Sequence, residues 1–282
     1  MKIAYIIIAH KLPEQLVRLV KKLNTVDTSF LIHVDRKTDE HTYRMMVDLL
    51  QTYDNVQFLK RRVVNWGTFS QVQVTLDGIR EANSLKFEFD YAILLTGQDY
   101  PLKSNDYISK FLQESDGKSY IEYFSLPNEI WKSENGGMDR FNYLNLNFLG
   151  RPRKIFPRFD LPYQNFLNTF KIFGGSAYWC LAKDCVEFIN EYLDQDESYI
   201  KFWKYTRIPD EAFFQTVLLN SQFKNRLIND NCRYIVWYSG PHPEILTKQE
   251  YEQFIGSDKL FARKFDVTVD SEVLDMIDSV IS

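Results

Sequence analysis

The sequence predicts an α/β fold: a mostly parallel sheet flanked by helices, with an irregular insertion in its second half. Three observations predict it. Short apolar runs without alternation, at Ile3–Ala9, Phe30–Val34 and Tyr91–Leu95, have the pattern of strands buried on both faces. Segments with one apolar face at helical spacing separate these runs, and strand–helix alternation of that kind builds a parallel sheet. Periodicity then fades between residues 115 and 173, a stretch rich in Asn, Arg, Pro and aromatics.

The elements follow in order. After the Ile3–Ala9 strand, Pro13 suits a first helical turn, and Leu16, Leu19, Val20 and Leu23 give that helix its apolar face. Phe30–Val34 ends in Asp35-Arg36-Lys37. A polar helix over 40–53 follows, with Met45, Met46, Leu49 and Leu50 as its core side, and then a short strand at Val56–Leu59. Trp66-Gly67-Thr68 leads into a helix over 70–83, and Thr68-x-x-Gln71 has the form of a capping box. Tyr91–Leu95 breaks into the polar turn Thr96-Gly97-Gln98-Asp99, stopped by Pro101. Regular signals resume at Gly174-Gly175-Ser176, the apolar run Ala177–Leu181 and a helix over 183–193. Pro209-Asp210-Glu211 then opens a helix over 213–220. No linker or repeat divides the chain, so residues 1–282 read as one domain, with its halves at 1–105 and 106–282.

Composition narrows the function. A net charge of −4 implies no polyanion-binding surface overall, which makes nucleic acid a poor partner. Cys180, Cys185 and Cys232 are odd in number and form no C-x-x-C pair. They read as reduced, buried thiols of a cytoplasmic protein. The run Ile3–Ala9 is too short to span a bilayer, so association with a membrane is at most peripheral. With 22 Phe, 17 Tyr and 5 Trp, aromatic faces are available both for core packing and for sugar or base rings. No phosphate-loop, dinucleotide-binding or nucleophile-elbow motif follows any strand.

Several residues stand where chemistry is done. Ligands of open α/β sheets bind at the carboxyl ends of the strands. Asp35 and Asp99 lie at two such ends. Each suits either a turn or a bound nucleotide sugar. A metal-dependent nucleotide-sugar enzyme would show Asp-x-Asp at the second end, where this chain has Gly97-Gln98-Asp99. The one Asp-x-Asp tripeptide, Asp194-Gln195-Asp196, lies at the polar end of a helix, and His10, His33, His41 and His242 share no ligand spacing. No metal and no other cofactor is expected. Asp210 and Glu211 at a helix start either complement the helix dipole or supply a general base. Arg263 and Lys264 are either solvated side chains or a clamp on a leaving diphosphate.

Taken together these segments resemble the core-2/I-branching glycosyltransferases. The segments are Ala4–Lys11, Ile32-His-Val-Asp35, Trp66-Gly67, Leu94–Lys103, Gly174–Trp179, Pro209–Thr216, Trp237 and Leu260–Asp266, and they span nearly the whole chain. That family contains β-1,6-N-acetylglucosaminyltransferases and, more distantly, peptide O-xylosyltransferases. The resemblance implies a GT-A-type, Rossmann-like fold with a nucleotide-sugar half and an acceptor half. It also implies a UDP-sugar donor, inversion at the anomeric carbon and no metal. It makes Glu211 the general base, Asp35 the uridine contact and Lys264 the diphosphate contact. Glu122, Arg140 and Trp237 fall on acceptor contacts. His10, Asp99 and Arg263 complete the donor side. The family has a further diphosphate-binding Arg, which segment 239–248 lacks. Arg263, His242 and Lys248 are the candidates for that role. The expected partners are a UDP-sugar, with GlcNAc favoured, and an oligosaccharide or lipid-linked glycan acceptor. The basic, proline-punctuated stretch Arg151–Arg158 prompts the lipid-linked expectation, and it also reads as an ordinary solvated loop. The alternatives are xylosyl transfer on the same scaffold and a non-catalytic carbohydrate-binding protein.

Overall fold

A computed structural model describes residues 1–84, 88–159, 161–238 and 242–281. The chain runs β1 (Ile3–Ala9), α1 (Pro13–Leu23), β2 (Thr28–Val34), α2 (Glu40–Leu50), β3 (Val56–Phe58), α3 (Phe69–Asn83), β4 (Tyr91–Thr96), β5 (Asp99–Pro101) and α4 (Asn105–Glu114). The second half holds β6 (Ser119–Ile121), β7 (Phe124–Ser125), β8 (Tyr143–Phe148), β9 (Arg151–Pro157), α5 (Leu161–Thr169), β10 (Phe173–Gly174), β11 (Trp179–Ala182) and α6 (Lys183–Gln195). It continues with α7 (Glu197–Trp203), α8 (Phe213–Leu219), β12 (Leu227–Ile228), β13 (Arg233–Ile235), α9 (Tyr251–Ile255), β14 (Phe261–Arg263) and α10 (Glu272–Val280).

Among the described residues, the main sheet has seven strands in the order β12-β6-β11-β4-β1-β2-β3. Strands β4, β1, β2 and β3 are mutually parallel, as expected, and β11 is antiparallel to both its neighbours. The sheet is covered on both faces. Ala4 and Ile6 of β1 point toward Val72, Leu76 and Ile79 of α3. Ile3, Tyr5 and Ile7 point toward Leu16, Leu19, Val20 and Leu23 of α1 and toward Val273, Leu274 and Ile277 of α10. Period-two alternation divides one apolar strand between two cores, which is why the strand shows no polar face.

Four expectations are corrected. The turn after β4 does not stop at Pro101: Asp99–Pro101 forms β5 and pairs antiparallel with β14, register Arg263↔Asp99. A strand end at an edge tolerates Pro because the missing N–H leaves no ladder bond unmade. The stretch 115–173 contains the β8–β9 hairpin and helix α5 as well as loops. Leu49, expected in the core, is 45% exposed, while Met46 and Leu50 alone face inward from α2. Pro209–Glu211 is a separate 3-10 turn, broken from α8 by Ala212 at φ −147°. The carboxylates therefore do not sit in the first turn of an α-helix, and the helix-dipole argument for them fails.

Candidate active site

The Glu211 cluster is assembled by backbone contacts between segments distant in sequence. Ile208, at φ 49°, turns the chain, and its N–H donates to the Gly67 carbonyl (2.9 Å). The Gly175 N–H donates to the carbonyl of Glu211 (2.8 Å). A Cβ on Gly175 would lie 1.9 Å from the Glu122 carbonyl oxygen, so only glycine lets these two segments meet. The Arg140 Nη1 donates to Glu211 Oε2 (2.6 Å), and the Arg140 guanidinium lies 3.5 Å above the Trp131 ring. Glu122 accepts from the Asn231 amide (2.8 Å). Burial, with the charges of Asp230 and Glu211, raises the Glu122 pKa from its ordinary value. Glu122, Arg140 and Glu211, which lie far apart in sequence, thus form one cluster.

Asp210 faces the other way. Its Oδ2 accepts from the Gln71 amide (3.1 Å), and its Oδ1 is buried without a partner among the described residues. Burial, then the charge of Glu211, pushes its carboxyl up to about 7. Gln71 is the far member of the expected capping box. Thr68 does cap α3, through Ser70 N, but the Gln71 side-chain Oε1 accepts from the Gly67 N–H. The helix start is thereby tied to the 209–211 turn.

A second cluster gathers cations. Asp99 is fully buried. It accepts from the Thr96 N–H (2.7 Å) and Thr96 Oγ1 (3.2 Å), so it holds its own turn. Across the β5–β14 pair its Oδ1 lies 3.5 Å from the Arg263 Nε, too far for a good hydrogen bond. Arg263 is only 8% exposed and lies 4.1 Å over the Tyr178 ring, and its Nε and Nη1 have no hydrogen-bond partner among the described residues. Burial lowers its pKa, with Asp99 opposing. Burial, then the charges of Arg263 and Lys11, lowers the pKa of neighbouring Lys264. Lys11 pairs with Asp266 (2.6 Å). A buried guanidinium with two idle donors is costly unless an anion completes it. Tyr178 follows closely on Gly175, so one short segment supports both Glu211 and Arg263.

The third group stands at the β1 and β2 ends. Asp35 N–H donates to the Ala9 carbonyl (2.9 Å), and Thr38 Oγ1 donates to the His10 carbonyl (2.9 Å). The Asp35 Oδ1 accepts from Lys37 N–H (2.9 Å) and Val64 N–H (3.3 Å), while Oδ2 faces Lys37 Nζ at 3.6 Å. His10 is exposed beside it. A cleft of about 520 Å³ opens next to these loops, lined by Lys37, Trp66, Asn145, Lys154, Arg207 and His242 among others. Its wall is tied to the Glu211 cluster, since the Arg207 N–H donates to the Arg140 carbonyl (3.2 Å). Trp237 is 55% exposed, just beyond β13. Lys248 pairs with Glu272 away from the cations, and His242 packs edge-on to Trp66. Arg263 alone of the three candidates for the second diphosphate contact lies beside Lys264. Ser239, Gly240 and Pro241 lie outside the described residues. Among the described residues, no three His, Cys, Asp or Glu side chains converge as a metal site.

Sequence reasoning missed Gln71, Trp131, Tyr178, Asn231 and Lys11. Tyr178 and Lys11 lay inside segments that carried the resemblance. Trp131 gave no local signal, because its partners come from 137, 140 and 174.

Residues 3–255 match the family described as Core-2/I-Branching enzyme. The chain belongs to the core-2/I-branching enzyme family of glycosyltransferases. It is 28% identical to xylosyltransferase 2 of Rattus norvegicus over 98% of its own length and 33% of that protein. It is 25% identical to xylosyltransferase 1 of the same species over 99% of its length and 35% of that protein. The chain thus spans about a third of the length of these curated relatives. Overlay on the mannosyltransferase Ktr4p of S. cerevisiae covers 79% of this chain and 67% of that one, at 13% identity and a TM-score of 0.39.

Proposed function

We propose that this core-2/I-branching family member moves a sugar from a UDP-sugar to an acceptor sugar hydroxyl, inverting the anomeric centre without a metal. Glu211 takes the proton of the acceptor hydroxyl. That oxygen forms its bond to the anomeric carbon as the bond to UDP breaks on the opposite face. Lys264 and Arg263 stabilise the leaving diphosphate. Asp35 and the His10 loop seat the uridine, and Asp99 acts on the donor only through Arg263 and the Thr96 turn. Glu122, Arg140 and Trp237 receive the acceptor, an oligosaccharide or lipid-linked glycan.

The observation that carries this reading is Arg263. A guanidinium 8% exposed, with Nε and Nη1 making no hydrogen bond among the described residues and Lys264 next to it, carries more positive charge than the 3.5 Å pair with Asp99 offsets and suits a dianion. GlcNAc is the favoured sugar. A second reading, xylosyl transfer, is favoured by the 28% and 25% identity to xylosyltransferases over nearly the whole chain. UDP release measured across UDP-GlcNAc, UDP-xylose, UDP-glucose and UDP-galactose decides between them. Release from none of these donors, with or without oligosaccharide, overturns both readings in favour of carbohydrate binding alone.

A further inference from the structure

The β8–β9 hairpin has two unlike faces. Directly paired residues of antiparallel strands share a face, and so do residues two apart. The pairs Asn145↔Lys154 and Asn147↔Pro152 therefore lie on one side, and Asn145, Pro152 and Lys154 do line the cleft. Leu146↔Arg153, Phe148 and, across the bulge at Ile155, the pair Leu144↔Phe156 fall on the other side, away from it. That outer face should be polar on a hairpin in water. Instead Leu146 is 41%, Phe148 61% and Phe156 62% exposed. The tip adds Leu149, 89% exposed and held at φ 50°, a backbone region that suits Gly or Asn better than a γ-branched side chain. A solvent-exposed turn gains nothing from Phe148-Leu149 at that place.

Charge distinguishes the partner. The protein is net acidic, yet residues 140–159 contain no Asp or Glu; Arg140 and Arg158 are held inside, by Glu211 and under Phe202, while Arg153 and Lys154 are exposed on the hairpin. Basic side chains flanking exposed Phe and Leu at a loop tip match an anionic bilayer surface, where the apolar groups enter the headgroup layer and the cations meet phosphates. No helix among the described residues is long and apolar enough to cross a membrane, so this contact would be a surface one. We propose that the outer face of the hairpin, through Leu146, Phe148, Leu149, Arg153 and Phe156, docks the protein on an anionic phospholipid surface. Its opposite face stays on the cleft. Docking thus brings the cleft to within the thickness of one two-stranded ribbon of the headgroups.

The test uses neither sugar nor UDP, so its failure is separable from failure of the proposed function. The purified chain is sedimented with vesicles of phosphatidylcholine alone and of equimolar phosphatidylcholine and phosphatidylglycerol. Binding to the anionic vesicles only, weakening as salt is raised, is expected. Arg153→Gln is expected to weaken it about five-fold. Phe148→Ser combined with Leu149→Gly is expected to weaken it about ten-fold or more, with an unchanged melting temperature. Equal binding to neutral vesicles, or wild-type binding by these variants, overturns the proposal. So does a concentration-dependent dimer that the Phe148/Leu149 variant abolishes, which would make the face a contact between copies.

Discussion

Asp210 and Glu211 are adjacent carboxylates with opposite surroundings, and each predicts a different experiment. Glu211 reaches Arg140 at 2.6 Å at the edge of the site. Under the proposed mechanism, Glu211→Gln is expected to reduce turnover by ~10²–10⁴, the usual worth of a general base, while UDP binding by calorimetry persists. Full activity in that variant would remove Glu211 from the mechanism. Asp210 is turned inward, with its carboxyl raised from 3.8 to about 7. An acid raised in this way holds its proton more tightly when folded. Its contribution to stability is present below the unfolded value and is lost as the pH rises through about 7. Asp210→Asn is neutral at every pH. Its melting temperature is therefore expected to exceed that of wild type above about pH 7, and the two curves are expected to converge below about pH 4. Parallel curves would mean that Asp210 binds its proton equally well in the folded and unfolded chains.

At the scale of elements, the segment from Gly174 to Tyr178 organises the site. It places the Gly175 N–H on Glu211, the Gly175 backbone against Glu122 and the Tyr178 ring under Arg263. A methyl group at Gly175 meets backbone, which cannot swing aside as a side chain can. Gly175→Ala is expected to cost ~1–3 kcal/mol in urea unfolding, the range for overpacking, and to depress turnover by displacing Glu211. Wild-type turnover with wild-type stability would show that the two segments are free to separate. This element was legible in the sequence because glycine pairs before an apolar run are rare enough to notice. The β8–β9 hairpin was not. Tyr-Leu-Asn-Leu-Asn-Phe alternates, but its apolar residues face out, and alternation is read as a strand only when the apolar side has a core to meet. The 3-10 turn at Pro209 was hidden as well: Pro-Asp-Glu starts both kinds of helix, and the break lies in the backbone of Ala212.

Across the whole molecule, the proposed donor side depends on joining the first third of the chain to its last strand. The parallel half of the sheet was readable locally, strand by strand, because buried strands are apolar throughout. The β5–β14 pairing was not readable, since nothing local in Asp99-Tyr-Pro101 announces a partner near the carboxyl terminus. That pairing sets a buried Asp99 against a buried Arg263 and turns Lys264 toward Lys11 and the β1 end. Under the proposed function, cations anchored this way take the part that a divalent ion plays beside a diphosphate. Fixed positive charge in a low-dielectric site needs no ion to be bound first. Under the proposed function, UDP release is expected to be unchanged by EDTA. Lys264→Ala is expected to weaken UDP binding and to slow turnover by ~10², the loss typical of one stabilising donor, with no rescue by added manganese. A strict manganese requirement in the wild type would reverse the assignment: the ion would have to sit near Asp99, and Arg263 would have to move to admit it.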